Sequence, residues 1–308
     1  MKIFVTGATG VVGRRLVPLL ASAGHEVTAA VRSLERSRAV EAGGARALPI
    51  DLFESQALRI ALEGHEAVVN LATHMPRLDW HVLAPGAWRE NDRLRRVASN
   101  VLVDAAIAAG IPRFIQESFA PAYPDCADRW ITEDTPLAPG RYNRSLGDCE
   151  RAAARFTAQG GTGIVLRFGA FYGPDAEQLR NLIGAIRKGW GPLPGRPEGY
   201  LSSISHDDAA SATAAALAAP AGIYNVVDDD PMRRREYLDA LARALVLPPP
   251  RMPPYWTRHL MGSVGRVLAR SQRVSNRKLC RCGWSPRDRS AREGLRRAVA
   301  EVESATAG

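Results

Sequence analysis

The segment Thr6-Gly7-Ala8-Thr9-Gly10-Val11-Val12-Gly13 constrains this chain more than any other feature. It follows a strand-like apolar run, Ile3-Phe4-Val5, and opens an amphipathic stretch, the setting that gives a glycine triplet meaning. There Gly7 permits a tight turn, Gly10 lets a pyrophosphate approach the backbone, and Gly13 lets helix and strand pack closely. The start of the helix then faces the phosphates with unpaired N–H groups. This predicts a Rossmann-type cofactor unit in which Thr6, Gly7, Thr9, Gly10, Val11, Val12 and Gly13 form the phosphate loop.

The amino-terminal half alternates β-branched runs with amphipathic stretches, which predicts a parallel sheet covered on both faces. Strands are expected at Lys2–Thr6, Glu26–Val31, Arg46–Pro49, Ala67–Leu71, Arg113–Gln116 and Gly163–Arg167. Helices are expected at Val11–Ala23, Gln56–Leu62 and Arg89–Ala109, each stopped by a glycine. Beyond Gly173-Pro174, prolines shorten the elements; a strand is expected at Gly222–Asp228 and helices at Arg233–Leu245, Thr257–Leu268 and Ser290–Glu303. The fold class is therefore α/β: a Rossmann-type doubly wound parallel sheet from residues 1–172 and the strand at about 222–228, with a smaller carboxyl-terminal substrate lobe from most of 173–308.

The end of the second strand separates the two nicotinamide dinucleotides, since an acid there binds a ribose 2′-hydroxyl and an arginine a 2′-phosphate. This chain has Arg32, which favours NADP over NAD. Asp51-Leu52 after the third strand is expected near the adenine, and Leu71-Ala72 after the fourth along the cofactor.

At 308 residues, 46% apolar and 24% charged, the composition is that of a soluble globular protein, and no run of about 18 apolar residues could cross a bilayer. Nothing before Ile3 could serve as a signal peptide, so a cytoplasmic protein is expected. Cys126, Cys149, Cys280 and Cys282 are too few and too irregular for a disulfide framework, and Cys280-Arg281-Cys282 lacks the zinc-knuckle spacer; free thiols and no metal are expected. The net charge of +9 is concentrated: from Arg258 to Arg297 twelve Lys or Arg face only Asp288 and Glu293. Such a field attracts anions, but it carries no nucleic-acid reader motif and little aromatic interleaving.

Together these residues resemble the extended and atypical short-chain dehydrogenase/reductase superfamily, the NAD(P)-dependent epimerase/dehydratase group. The resemblance runs from the glycine loop through Asp51-Leu52, Asn70-Leu71-Ala72, Tyr142 with Glu150, Leu166 to Pro174, Asp207 to Ala210 and Gly222 to Val226, ending at Gly283-Trp284-Ser285-Pro286. It implies a dinucleotide-binding domain and a second lobe that closes over a small-molecule substrate; a homodimer is compatible with it.

The superfamily's catalytic unit is a tyrosine, a lysine four residues later and a serine or threonine on an earlier loop. The lysine is needed because tyrosine's reference pKa is near 10 and an ammonium one turn away favours the phenolate. Tyr142 matches the tyrosine, but Leu146 stands at the lysine position. Phe119 falls on the serine position with Ser118 one residue early, and Arg95 falls on a helix asparagine position with Asn91 one turn away. Either Tyr142 is driven by a substitute cation such as Arg144, Arg141 or Arg95, or its phenol never ionises and the protein does something other than ordinary carbonyl reduction.

His74 and His81 are reserve acids or bases, and Trp80, Trp88, Trp130 and Trp190 suggest a pocket for an aromatic or hydrophobic substrate. Arg187, Lys188 and Arg196 could hold an anionic one. Three functions follow: an NADP-dependent oxidoreductase of a small carbonyl or hydroxyl compound with Tyr142 as proton donor; a redox-neutral isomerase, cyclase or lyase on the same scaffold; or a non-catalytic NADP-binding sensor or assembly protein.

Overall fold

The computed structural model describes residues 1–33, 35, 37–76, 84 and 86–307. Seven parallel strands form the central sheet: β1 (Lys2–Thr6), β2 (Glu26–Val31), β3 (Ala45–Pro49), β4 (Ala67–Asn70), β5 (Arg113–Phe119), β6 (Thr162–Phe168) and β7 (Gly222–Val226). Their spatial order is β7-β6-β5-β4-β1-β2-β3. The chain winds one way from β1 to β3 and the other way from β4 onward. The reversal lies between β1 and β4, the place where doubly wound sheets bind ligands at the carboxyl ends of their strands.

The helices are α1 (Gly13–Ser22), α2 (Ser55–Leu62), α3 (Arg89–Arg93), α4 (Ser99–Ala108), α5 (Leu146–Ala158), α6 (Glu177–Arg187), α7 (His206–Ala215), α8 (Arg234–Ala244), α9 (Gly262–Leu268) and α10 (Ala291–Ala307), besides shorter turns. Strand alternation sends Ile3 and Val5 to one face of the sheet, against Leu16, Val17 and Leu20 of α1. Phe4 points to the other, against Leu58, Leu62, Val68, Leu102, Phe114 and Phe156. Coverage of both faces explains the near-continuous apolar strands, and each such side chain contributes roughly 1.5–3 kcal/mol on burial. A separate cluster joins α6, α8 and α10 through Leu182, Ile186, Tyr237, Leu241, Leu295 and Val299.

Two expected helices are corrected, and three helices, α5, α6 and α7, were not foreseen. The helix expected over Arg89–Ala109 is interrupted: α3 and α4 are joined by a π-helical turn, Leu94–Ala98, whose wider winding accompanies the burial of Arg95. The helix expected over Thr257–Leu268 is a 3-10 turn, Tyr255–His259, followed by α9, whose first residue, Gly262, has φ +56°. Helix α7, His-Asp-Asp-Ala-Ala-Ser-Ala-Thr-Ala-Ala, was missed because it carries no large apolar stripe; its start is fixed by Ser205, whose Oγ accepts from the Asp208 N–H at 3.0 Å. Among the described residues no helix is long and apolar enough to cross a membrane.

Candidate active site

The glycine loop closes at the sheet's reversal point. Gly7 has φ +68°, and a Cβ there would overlap the Leu71 carbonyl. One at Gly13 would overlap the Gly7 carbonyl and the Ala8 backbone. Gly10 differs: its Cβ would meet only the Gly7 oxygen, at 3.1 Å, so its outer side is open. The Gly10 N–H donates to Gly7 O at 2.9 Å and the Arg14 N–H to Gly10 O at 3.0 Å. This turn delays α1 from the expected Val11 to Gly13 and leaves the N–H groups of Val11 and Val12 without partners among the described residues. Thr9 lies half-buried on the same loop. Open donors at a helix start, beside a glycine whose missing side chain leaves room, fit a pyrophosphate.

Behind the loop, buried Asn70 ties the sheet together. Its Oδ1 accepts from Thr6 Oγ1 at 2.6 Å, and its Nδ2 donates to Gln116 Oε1 at 2.9 Å and Ser99 Oγ at 3.2 Å. The Thr6 hydroxyl is therefore turned into the sheet and shapes the loop from behind. The Leu71 N–H donates to Thr6 O at 3.3 Å and the Ala72 N–H to Asn70 Oδ1 at 3.4 Å, which sets both residues against Gly7. Asp51 Oδ1 accepts from the Phe53 N–H at 3.0 Å, and Leu52 packs at the edge of the cluster around Phe4. Arg32 is exposed past the end of β2, and its side chain has no partner among the described residues.

Tyr142 lies in a 3-10 turn, Arg141–Asn143, and is 8% exposed. It packs against Val264 and Val267 of α9 and against Trp88, whose ring centroid is 4.7 Å away. Leu146 opens α5 and is 0% exposed. With no ammonium there, burial pushes the Tyr142 phenol up to about 12, against the weaker pull of the Arg270 and Arg95 charges. Arg95 is itself buried and bound to Glu117 at 2.8 Å. Arg141 and Arg144 are exposed and are not among the charges that act on the phenol. Arg270 is, and no local spacing revealed it; its Nη1 donates to the carbonyls of Tyr123 at 2.9 Å and Ala138 at 2.7 Å.

Ser118 is fully buried and donates to Glu150 Oε1 at 2.6 Å. Glu150 also receives Arg167 Nε at 2.8 Å and Nη2 at 2.7 Å; Arg167 Nη1 donates to the Tyr123 hydroxyl, which donates to Asn225 Oδ1 at 2.8 Å. The Ser118 hydroxyl thus belongs to a buried ionic chain. His74 is exposed, with its backbone N–H held by Asn91 Oδ1 at 3.0 Å. His81 and Trp80 lie outside the described residues. Of the other tryptophans Trp88 joins Tyr142, whereas Trp130 is stacked under Arg273, 4.1 Å from its ring centroid, and Trp190 is exposed. A cavity of about 440 Å³ adjoins Tyr142, between Gly140-Arg141 and α9 with the turn before it.

Helix α1 is also gripped from the later half of the chain. Arg14 and Arg15 both bind Asp175, and Arg15 Nε binds Asp207 Oδ1 at 2.5 Å. His206 Nδ1 lies 2.9 Å from Asp175 Oδ1. Burial, then the Arg15 and Arg14 charges, push this imidazole down to about 3, so Asp175 serves the arginines and His206 stays neutral.

A doubly wound sheet with an open glycine loop at its reversal point defines a nucleotide-cofactor protein. Residues 7–220 match the family described as NAD(P)H-binding. The chain is similar to the 3-diazoavenalumate denitrifying reductase of a Streptomyces species, 34% identical over 312 residues that span 96% of this chain and 100% of that protein. Human epimerase family protein SDR39U1 (isoform 2), solved with NADPH, shares the fold at TM-score 0.81 and 20% identity, covering 97% of this chain and 99% of that one. The UDP-glucose 4-epimerase of Thermus thermophilus, solved with NAD, does so at TM-score 0.79 and 23% identity, covering 99% and 100%. The chain belongs to this NAD(P)H-binding family and, with it, to the extended short-chain dehydrogenase/reductase superfamily.

Proposed function

We propose that this protein is an NADP-dependent reductase of a small carbonyl compound, working in the reductive direction because Tyr142 keeps its proton. Leu146 carries the proposal: a fully buried leucine stands where the superfamily has its lysine, and the phenol beside it is pushed up to about 12. A neutral phenol can give a proton to a nascent alkoxide but cannot take one from an alcohol at neutral pH. Alcohol oxidation, with the epimerisations and dehydrations that begin with it, would find little phenolate base at neutral pH. Arg95 and Arg270 remain charged and cannot substitute as proton carriers. Val11, Val12 and Gly10 would hold the pyrophosphate, Arg32 the 2′-phosphate, and Leu71 and Ala72 the stretch beyond. Bound there, the reduced dinucleotide supplies hydride.

One observation favours a second acceptor. With Leu146 and Phe119 apolar and the Ser118 hydroxyl committed to Glu150, little of a proton relay remains. Replacing the N₂ of a diazonium carbon by hydride (R–N₂⁺ + H⁻ → R–H + N₂) needs no proton, and the Streptomyces relative is named for a diazo compound and for denitrification. NADPH oxidation with an aryl aldehyde and with an arenediazonium salt separates the two. Tyr142→Phe should slow aldehyde reduction about 100-fold and leave diazonium reduction within about twofold. Alcohol oxidation by NADP⁺ at neutral pH as fast as aldehyde reduction would overturn the directional reading.

A further inference from the structure

Resting on the reductase reading, we propose that the cavity beside Tyr142 is the subsite for the oxyanion group of an acidic substrate, a carboxylate or a phosphate. Its walls bring together Arg141 from the turn that carries Tyr142, Arg258 from the turn before α9, Arg266 on α9 and Arg270 just beyond it. The lining holds four arginines and His259 against a single acid, Asp125. The exposed side chains of Arg141 and Arg266 have no hydrogen bond or ion pair among the described residues. Arg258 is held in place, stacked 3.5 Å from the Tyr255 ring centroid and donating to Tyr255 O at 2.9 Å. Arg270 is fixed by the carbonyls of Tyr123 and Ala138.

Behind this wall lies Arg234, 2% exposed and without an acidic hydrogen-bond partner; it donates to Leu268 O at 2.8 Å and Arg270 O at 2.6 Å. It is a positioning residue that braces the segment presenting Arg270. Like charges gathered around open space repel one another until an anion enters. The planar fork of arginine matches carboxylate and phosphate oxygens in pairs. The depression, about 440 Å³ and open to solvent on one side, has room for the charged end of a small molecule. Val267 lines the cavity and also packs on Tyr142, so an oxyanion held here lies one side chain from the phenol.

The test uses the purified protein saturated with NADP⁺, titrated calorimetrically with benzoate, phenyl phosphate and benzyl alcohol. At least one of the two anions should bind tenfold or more tighter than the alcohol. Arg266→Ala and Arg258→Ala should each weaken that anion about tenfold, Arg266→Lys should recover part of the loss, and NADP⁺ affinity should stay within about twofold in all three. Preference for benzoate assigns a carboxylate and preference for phenyl phosphate a phosphate. Equal affinity for the three probes, no binding of any, or arginine variants that bind the anion normally would each overturn the subsite. If no carbonyl or diazonium compound oxidises NADPH while anion binding still depends on these arginines, the reductase reading falls and the subsite stands.

Discussion

Gly7, Gly10 and Gly13 are one residue type with two different burdens. At Gly7 and Gly13 a side chain would strike backbone inside the fold, whereas at Gly10 it would project outward past the Gly7 carbonyl. Gly10→Val should therefore yield a protein that still folds but no longer binds the dinucleotide; normal NADP⁺ binding by the folded variant would place the cofactor elsewhere. Arg32 is exposed and unpaired among the described residues, so its removal costs no internal contact. Arg32→Ala should erase most of an expected tenfold or greater preference for NADP⁺ over NAD⁺, read by titration with both. Leu146→Lys tests the missing ammonium. An unpaired charge in a niche with no exposure costs several kcal/mol, so this variant should melt several degrees lower and lose native activity. A gain in carbonyl turnover at an unchanged melting temperature would show that Leu146 had replaced a dispensable helper.

Between elements, the grip on α1 gives the fold a pH-sensitive seam. Unfolded, the His206 imidazole titrates at its ordinary value of 6.5; folded, it is pushed down to about 3. In that window the unfolded chain binds the extra proton, so the contribution is fully present above about pH 6.5 and is lost as pH falls toward 3. The loss should be on the order of 3 kcal/mol by pH 4, and melting curves of His206→Gln should be flatter than wild type between pH 6.5 and 4. Asp228, buried and pushed upward, acts in the opposite sense, so the paired comparison isolates the imidazole. Elements with strong local patterns were legible in the sequence: β1 and β2 fall on their expected residues because burial on both faces of the sheet selects near-continuous apolar runs. Helices α5, α6 and α7 escaped, α7 because alanine packs closely without leaving an apolar stripe. The π turn was invisible because it changes winding without changing composition.

On the scale of the molecule, the half of the site made by neighbours in sequence could be read and the half made by distant segments could not. The glycine loop announces itself in eight residues. The fate of Ser118 depends on Glu150 and Arg167, the larger charge acting on Tyr142 comes from Arg270 rather than from Arg95, which the sequence did offer, and the cavity joins Asp125 to Arg266. Chain folding alone makes these neighbours. The chain's excess of positive charge, +9, also has a practical side. Guanidiniums lining a water-filled hollow do not wait bare: in solution they recruit whatever small anions the buffer offers. Any acid entering the hollow between Arg141 and Arg266 must displace that resident ion, so its apparent affinity becomes an exchange constant. The KM of an acidic substrate should rise with added phosphate or sulfate at fixed ionic strength, more than with chloride. Rates measured in phosphate buffer would then understate what the same protein does in an amine buffer.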